Sequence, residues 1–296
     1  MSETPTTLDV LNAAGTTAFV AAMGAIYEHS PWVAEAVAGR RPFASLAALH
    51  EAMRTVLMMA DEARKRALLN AHPDLAGKAA LAGALTADSK IEQHSVGLDR
   101  LNAAELAALH SLNAAYREKF GFPFIICVRR HTKDSIFRQF ERRLNNDLKA
   151  EYETALTEVS RIAALRLDQH VSASDRLQVH GRLSTHVLDT YHGRPAPGVA
   201  IELHELSSSG EGHLVTRATT NADGRTAAPL IGGRPLPIGR YELRFAIGDY
   251  FKNEAELPDP PFLDVVPIRF AIADAEGHYH VPLVMTPWSY ATYRGS

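Results

Sequence analysis

His72 stands directly before Pro73 in a chain of 296 residues, and that pairing suggests chemistry. A proline fixes its own φ and pushes the preceding residue out of helical geometry, so His72 sits on stiff, non-helical backbone. A histidine held in one orientation suits proton transfer, although capping the preceding helix would explain it equally well. Ser89-Lys-Ile-Glu92-Gln93 adds a carboxylate and an amide, and its Ser/Glu spacing also matches a capping box. Arg166 lies near the end of a helical segment, where a cation complements the helix dipole. Toward the C-terminus, His186 lies opposite a row of aliphatic residues, and Arg225 follows the turn Asn221-Ala-Asp-Gly224. His278-Tyr279-His280 puts two histidines on one face of a strand, and the chain closes on Tyr293-Arg-Gly-Ser296. Three histidines of this kind invite a zinc site. No carboxylate or cysteine accompanies them and Arg225 would repel the ion, so no metal is assigned.

Two kinds of secondary structure must position these groups. Residues 1–165 contain 7 Gly and 5 Pro, against 12 and 11 in the shorter stretch 166–296. The first stretch is rich in Ala, Leu, Glu and Arg, and its apolar residues recur at helical spacing, as in Phe19, Met23, Ile26 and Tyr27 or Leu46, Leu49, Met53, Val56 and Leu57. Ser45, Asp61, Asn102 and Asp134 stand where helices should start, and Asn102 with Glu105 has capping-box spacing. The pattern predicts six to eight helices in a bundle-like packing, with Gly121 to Cys127 as an apolar, strand-like run. From Gln169 the period changes to two: Leu177, Val179, Leu183, Thr185 and Val187 share one face. Alternation recurs at Val199-Leu203, Val215-Thr219, Tyr241-Ile247 and Ile268-Ile272, with turns at Asn221–Gly224, Gly232-Gly233 and Asp274–Gly277. This reads as an all-α domain, residues 1–167, a linker, 168–176, and an all-β antiparallel sandwich of seven or eight strands, 177–296.

The net charge of −3 gives no reason to expect a nucleic-acid or anionic-membrane partner. A single cysteine, Cys127, leaves no intrachain disulfide and fits a reducing compartment. The N-terminus has no basic and apolar leader pattern, and no run approaches the roughly 18 apolar residues of a membrane span. The expected location is the cytoplasm.

The stretches His72-Pro-Asp-Leu-Ala-Gly-Lys78, Ser89-Lys-Ile-Glu-Gln93, Leu112-Asn-Ala-Ala-Tyr-Arg-Glu-Lys-Phe-Gly-Phe-Pro-Phe-Ile125 and Arg142-Arg-Leu-Asn-Asn-Asp147 resemble those of 2-oxo-4-hydroxy-4-carboxy-5-ureidoimidazoline (OHCU) decarboxylases. The resemblance runs from about Leu11 to Leu167, with a small departure at Ser95-Val96 before Gly97. It implies His72, Glu92 and Arg166 as catalytic residues. It also implies substrate contacts from Pro73, Ser89, Gln93, Phe124, Ile125 and Ile126, within the segments 89–93 and 124–128. No metal, pyridoxal or thiamine site is visible, so the substrate's own ring would be the electron sink and no cofactor is expected. In that scheme His72 moves the proton, Glu92 and Gln93 hold ureido and ring groups, and Arg166 anchors polar oxygens of the substrate.

The second half is similar to 5-hydroxyisourate (HIU) hydrolases, the enzyme form of the transthyretin fold. The similarity is carried by Leu183-Ser-Thr-His-Val-Leu-Asp-Thr190, Thr220-Asn-Ala-Asp-Gly-Arg225, Gly277-His-Tyr-His-Val-Pro-Leu283 and the terminal Tyr-Arg-Gly-Ser. It implies catalytic His186, Arg225, His280 and Ser296, a binding role for Tyr293 and no role for His278. One histidine would activate water, the other shuttle the proton, and Arg225 stabilise the oxyanion. The expected function is bifunctional, a cyclic amide hydrolase whose product a carboxy-lyase then converts to (S)-allantoin. The resemblance also implies a homotetramer assembled through the β domain, with pairing of the helical domains open. A transthyretin-like binding protein with a helical partner domain is the alternative. The presence of the site histidines argues against it.

Overall fold

The structure, a computed structural model, describes residues 6–77, 85–252 and 255–295. Lys78 of the first motif and the terminal Ser296 lie outside the described residues. The chain divides into two compact units, Met1–Arg129 with Ser135–Val179, and Arg130–Asp134 with His180–Ser296.

The described part of the first unit is built from nine helices: α1 (Leu8–Ala13), α2 (Thr16–Met23), α3 (Trp32–Ala38), α4 (Leu46–Met59), α5 (Glu62–Ala71), α6 (Ala87–Ser95), α7 (Ala103–Phe120), α8 (Lys133–Arg143) and α9 (Leu148–His170). This is one more than the periodicity predicts, because α1 and α3 are too short to display a full repeat. Side-chain caps fix several starts: Ser45, Asp61 and Asp147 each accept the N–H three residues on, and Asn102 with Glu105 closes a complete capping box. Asp134 is not a cap but lies in the first turn of α8. Gly121 ends α7 at φ 77°.

The long α9 runs through the middle of this unit. Ala155, Val159, Ala163 and Leu167 are buried along it, and it packs on α4, α5 and α7. Leu46, Leu49, Met53 and Leu57 of α4 are wholly buried, each worth about 1.5–3 kcal/mol of apolar burial. The stretch read as a linker carries the end of α9 and then β2 (Val171–Ser172), which pairs in parallel with β1 (Thr6–Thr7). Val171 and Leu177 are buried in the helical core.

The apolar run Phe122 to Cys127 is buried but forms no strand. Side chains satisfy its backbone instead: Arg143 Nη1 donates to the Ile125 carbonyl at 2.8 Å, and Cys127 N–H donates to Glu158 Oε2 at 2.8 Å. Arg143 is held by the wholly buried Glu151, which also accepts from Tyr116 Oη and Asn146 Nδ2.

The second unit is strand-rich. Its strands are β3 (Gly181–Ser184), β4 (Val187–Asp189), β5 (Arg194–Pro195), β6 (Ala200–Leu206), β7 (Gly212–Thr219), β8 (Ile231–Arg234), β9 (Gly239–Ala246), β10 (Val265–Ile272), β11 (His278–His280), β12 (Leu283–Met285) and β13 (Tyr290–Thr292), with a short helix α10 (Ile247–Phe251). They form sheets ordered β10-β9-β6-β7, β11-β3-β8 and β13-β12-β4-β5. A core of Leu183, Val187, Ile201, Leu203, Leu243, Phe245, Val266 and Leu283 joins them. The expected sandwich is not purely antiparallel. β11 runs parallel to β3 and β12 parallel to β4, because the last long stretch of chain returns beside the first in the same direction. Gly232 and Gly233 lie inside β8 rather than in a turn. The first predicted strand breaks after Ser184, so that His186 pairs alone with Arg225.

Candidate active sites

In the helical unit, α5 ends on His72, which has extended backbone (φ −75°, ψ 138°), as a residue before proline should. The loop that follows is pinned at nearly every residue. Asp74 accepts from Arg117 at 2.8 Å, the Leu75 carbonyl from Asn113 at 3.0 Å, and Ala76 N–H donates to Gln93 Oε1 at 3.0 Å. His110 bonds the Ala76 carbonyl, and Ala76 is held at φ 46°, a sparsely populated region for a residue with a side chain.

His72, Pro73, Ser89, Glu92, Gln93, Phe124, Ile125, Ile126 and Arg166, all expected at this site, line one pocket that opens to solvent, with Leu75, Val128 and Ile162 completing it. His72 is 8% exposed and its Nδ1 lies 2.9 Å from the Leu68 carbonyl. A carbonyl only accepts, so the proton sits on Nδ1 and Nε2 keeps its lone pair. Burial pushes the imidazole below its ordinary value, against the opposing pull of the Leu68 carbonyl and Glu28.

The Ser89–Glu92 pair is not a capping box. Thr86 caps α6, and Ser89 and Glu92 face the interior. Arg166 lies a turn before the end of α9 and is 2% exposed, so a dipole role does not describe it. Its Nε and Nη2 form a fork on Glu92 at 2.9 and 3.0 Å, its Nη1 donates to Glu28 Oε2 at 2.7 Å, and its Nη2 also reaches Ser89 Oγ at 3.3 Å. Four of its five N–H donors thus go to protein groups rather than to a ligand. With Gln93 Oε1 taken by Ala76, the Nε2 hydrogens are what that side chain can offer a ligand.

Glu28 escaped the sequence reading. It lies between α2 and α3, 2% exposed, and accepts from Thr86 Oγ1 at 2.8 Å and Ser89 Oγ at 3.1 Å besides Arg166. Burial alone would raise its carboxyl, but Arg166 and the hydroxyl of Thr86 hold it below the usual range. One signal was available: an acid set among Ile26, Tyr27 and Pro31 with no basic residue three or four positions away.

In the second unit the histidine cluster assembles around two glycines. His186 pairs with Arg225, and its Nε2 donates to the Asp223 carbonyl at 2.9 Å. Gly224, at φ +70°, lets this turn close: a Cβ there would meet the Val187 carbonyl at 2.3 Å and His186 Cδ2 at 3.2 Å. His280 pairs with Gly295, whose N–H donates to the His280 carbonyl at 2.9 Å, and a Cβ on Gly295 would lie 2.5 Å from the imidazole. The terminal motif is thereby laid against His280. His280 Nδ1 is 3.0 Å from Ser184 Oγ, which also lies 3.4 Å from His278 Nε2. Burial and the Arg225 guanidinium hold both His186 and His280 below the ordinary value, and each is only partly covered. Tyr293, expected at this site, is 57% exposed. Arg294 stacks on Tyr279, 4.8 Å from the ring centre.

Residues 12–168 match the OHCU decarboxylase family, and residues 183–295 match the HIUase/Transthyretin family. A 2-oxo-4-hydroxy-4-carboxy-5-ureidoimidazoline decarboxylase of Halalkalicoccus jeotgali is 40% identical over 172 residues, 58% of this chain and 96% of that protein. A 5-hydroxyisourate hydrolase of Deinococcus radiodurans is 57% identical over 117 residues, 40% of this chain and 98% of that protein. A crystal structure of (S)-allantoin synthase matches with 36% identity and a TM-score of 0.54, covering 98% of this chain and all of that one.

Proposed function

Because the chain belongs both to the OHCU decarboxylase family and to the HIUase/transthyretin family, we propose that it is a bifunctional enzyme of urate degradation. Its strand-rich unit hydrolyses 5-hydroxyisourate to OHCU, and its helical unit decarboxylates OHCU to (S)-allantoin. The observation that carries this reading is the presence, in one chain, of two separate histidine and arginine clusters that fall on the motifs of the two families.

For hydrolysis, water attacks the lactam carbonyl of 5-hydroxyisourate. One of His186 and His280, neutral at physiological pH, takes the water's proton, and the other shuttles that proton on to the departing ring nitrogen. Arg225, beside both, stabilises the oxyanion of the tetrahedral intermediate. Ser296 and Tyr293 complete the substrate contacts in this reading.

For decarboxylation, the C–CO2⁻ bond of OHCU breaks, its electron pair forms a double bond to the ureido-bearing carbon, and the nitrogen of the adjoining ring C=N takes up a proton from water. His72 Nε2 then takes the proton of the ring hydroxyl and delivers one to the ureido-bearing carbon, on one face only. The apolar wall of Phe124, Ile125, Ile126 and Val128 disfavours the localised carboxylate more than the dispersed charge of the transition state. Glu92 and Gln93 hold the ureido and ring N–H and C=O groups, and Pro73 keeps the imidazole in place. With its donors committed to Glu92, Glu28 and Ser89, Arg166 acts chiefly by fixing those acids, leaving one N–H for the substrate.

We further propose a homotetramer assembled through the strand-rich unit. This is supported by the aromatic side chains Trp288, Tyr290 and Tyr293, each about half exposed on the single chain. A cytoplasmic location is supported by a sequence with a single cysteine, Cys127, too few for an intrachain disulfide framework. Among the described residues no helix is long and apolar enough to cross a membrane.

Freshly prepared 5-hydroxyisourate, followed together by absorbance and circular dichroism, tests both activities. Rapid appearance of optically active allantoin is the expected result. Loss of 5-hydroxyisourate at the spontaneous rate would refute the hydrolase assignment, and accumulation of OHCU or a racemic product the decarboxylase assignment.

A further inference from the structure

Two carboxylates, Glu28 and Glu92, share the single guanidinium of Arg166 beneath the His72 pocket. With His72 neutral this cluster carries one net negative charge, and with His72 protonated it carries none. Burying an uncompensated charge is costly, so a second acid against one arginine requires a reason. Arg166 and Glu92 alone would make a neutral, bidentate pair.

We propose that Glu28 is a positioning residue of the decarboxylation site, which clamps Arg166 and Ser89 from behind and supplies the negative charge that balances a proton on His72. The inference rests on the decarboxylase reading given above. Glu28 does not line the pocket. It acts through groups that do: Arg166 at 2.7 Å and Ser89 at 3.1 Å, with Thr86 at 2.8 Å fixing the same carboxylate to the start of α6. The loop carrying Glu28, α6 and α9 are therefore joined at one carboxylate.

The charged groups facing His72 are few. Glu28 favours its protonated form, while Arg166 and His29 oppose it, and the Leu68 carbonyl of α5 holds Nδ1–H. Glu92 lines the same pocket from α6. His29 Nε2 lies 4.0 Å from Glu28 Oε1 and is well exposed. In a pocket that burial makes hostile to an imidazolium, Glu28 is thus the acid whose charge allows His72 to take a proton during turnover and give it back.

The test is the pH–rate profile of OHCU decarboxylation by the full chain carrying Glu28→Gln. The amide preserves the size and most hydrogen bonds but removes the charge. Expected are a fall in kcat of about tenfold or more, little change in KM, and a half-rate pH moved down by about one unit, the usual effect of losing a nearby opposite charge. Helical circular dichroism checks that the variant is folded. A folded variant with wild-type kcat and profile overturns the proposal, as does a loss confined to KM. Glu28→Asp keeps the charge on a shorter arm. It should lower kcat while leaving the half-rate pH in place, and a half-rate pH that falls by about one unit in this variant also overturns the proposal. Should the glutamine variant not fold, the aspartate variant alone decides. Wild-type protein that fails to decarboxylate OHCU in this assay would instead overturn the decarboxylase reading itself.

Discussion

Replacing Gly224 by alanine adds one methyl group at the floor of the strand-rich site, and its effect can be worked from the geometry. The new Cβ would stand 2.3 Å from the Val187 carbonyl oxygen, where ordinary contact begins at 3.4 Å, so 3.4 less 2.3 leaves about 1.1 Å of displacement. That oxygen cannot simply retreat, because it accepts the Ala196 N–H at 3.0 Å, and Val187 N–H in turn donates to the Gly224 carbonyl at 2.8 Å. The backbone at φ +70° adds about 1–3 kcal/mol of strain for a residue with a side chain. The displacement is taken up by the Asn221–Arg225 turn, which carries Arg225 and holds His186 through the Asp223 carbonyl. Misplacing reacting groups by about 1 Å costs on the order of 10²-fold in rate. Gly224→Ala should therefore lower 5-hydroxyisourate hydrolysis about 10²-fold, measured as loss of its absorbance over the spontaneous background. Decarboxylation of separately supplied OHCU by the same preparation should stay at the wild-type rate. Hydrolysis within threefold of wild type would show that this turn does not position the chemistry.

Other perturbations separate the two units. His72→Ala should reduce OHCU decarboxylation by roughly 10²-fold or more, seen as loss of stereospecific allantoin by circular dichroism, while hydrolysis continues; near-normal turnover would remove His72 from the mechanism. Deleting Tyr293-Arg-Gly-Ser296 takes away the backbone laid against His280 and should abolish hydrolysis but not decarboxylation. Arg143→Met leaves the wholly buried Glu151 without its cation and should destabilise the helical unit by about 3–5 kcal/mol in denaturant unfolding. An unchanged midpoint would mean that Tyr116 and Asn146 alone satisfy the acid.

The sequence made some of this legible and hid the rest for physical reasons. Local rules worked where they act locally: Ser45, Asp61 and Asn102 cap the helices they were expected to cap, and His72 has the extended backbone its proline demands. The Ser89–Glu92 spacing fits a cap just as well, and only the tertiary fold turns both side chains inward, onto Glu28 and Arg166. Phe122 to Cys127 has the composition of a strand, but Arg143 and Glu158, 18 and 31 residues further along the chain, claim its backbone groups. Spacing cannot report such long-range pairings. Glu28 was invisible for the same reason: its partners Thr86, Ser89 and Arg166 lie 58, 61 and 138 residues away. The parallel pairing of β11 with β3 likewise follows from topology rather than from alternation.

The two sites also share an acid limit, and its sign follows from their burial. Burial holds His72, His186 and His280 below the ordinary histidine value, Arg225 adding to the effect at the second site. All three are therefore neutral at physiological pH, ready to accept a proton, and both rates should hold steady there and fall only on the acid side. For His72 the same shift is a statement about stability. The unfolded chain takes up a proton near pH 6.5, whereas the folded chain resists it to lower pH. The contribution of neutral His72 is thus fully present above pH 6.5 and is lost as the pH falls toward the depressed folded value. Between pH 7.5 and 5.5 the wild-type helical unit should lose more unfolding free energy than a His72→Gln variant, which has no proton to gain at that position. Urea unfolding followed at the helical dichroism band measures the difference. Equal losses in the two proteins would mean that His72 titrates as freely in the fold as in the open chain, and the argument for a dry, proton-poor pocket would fail with it.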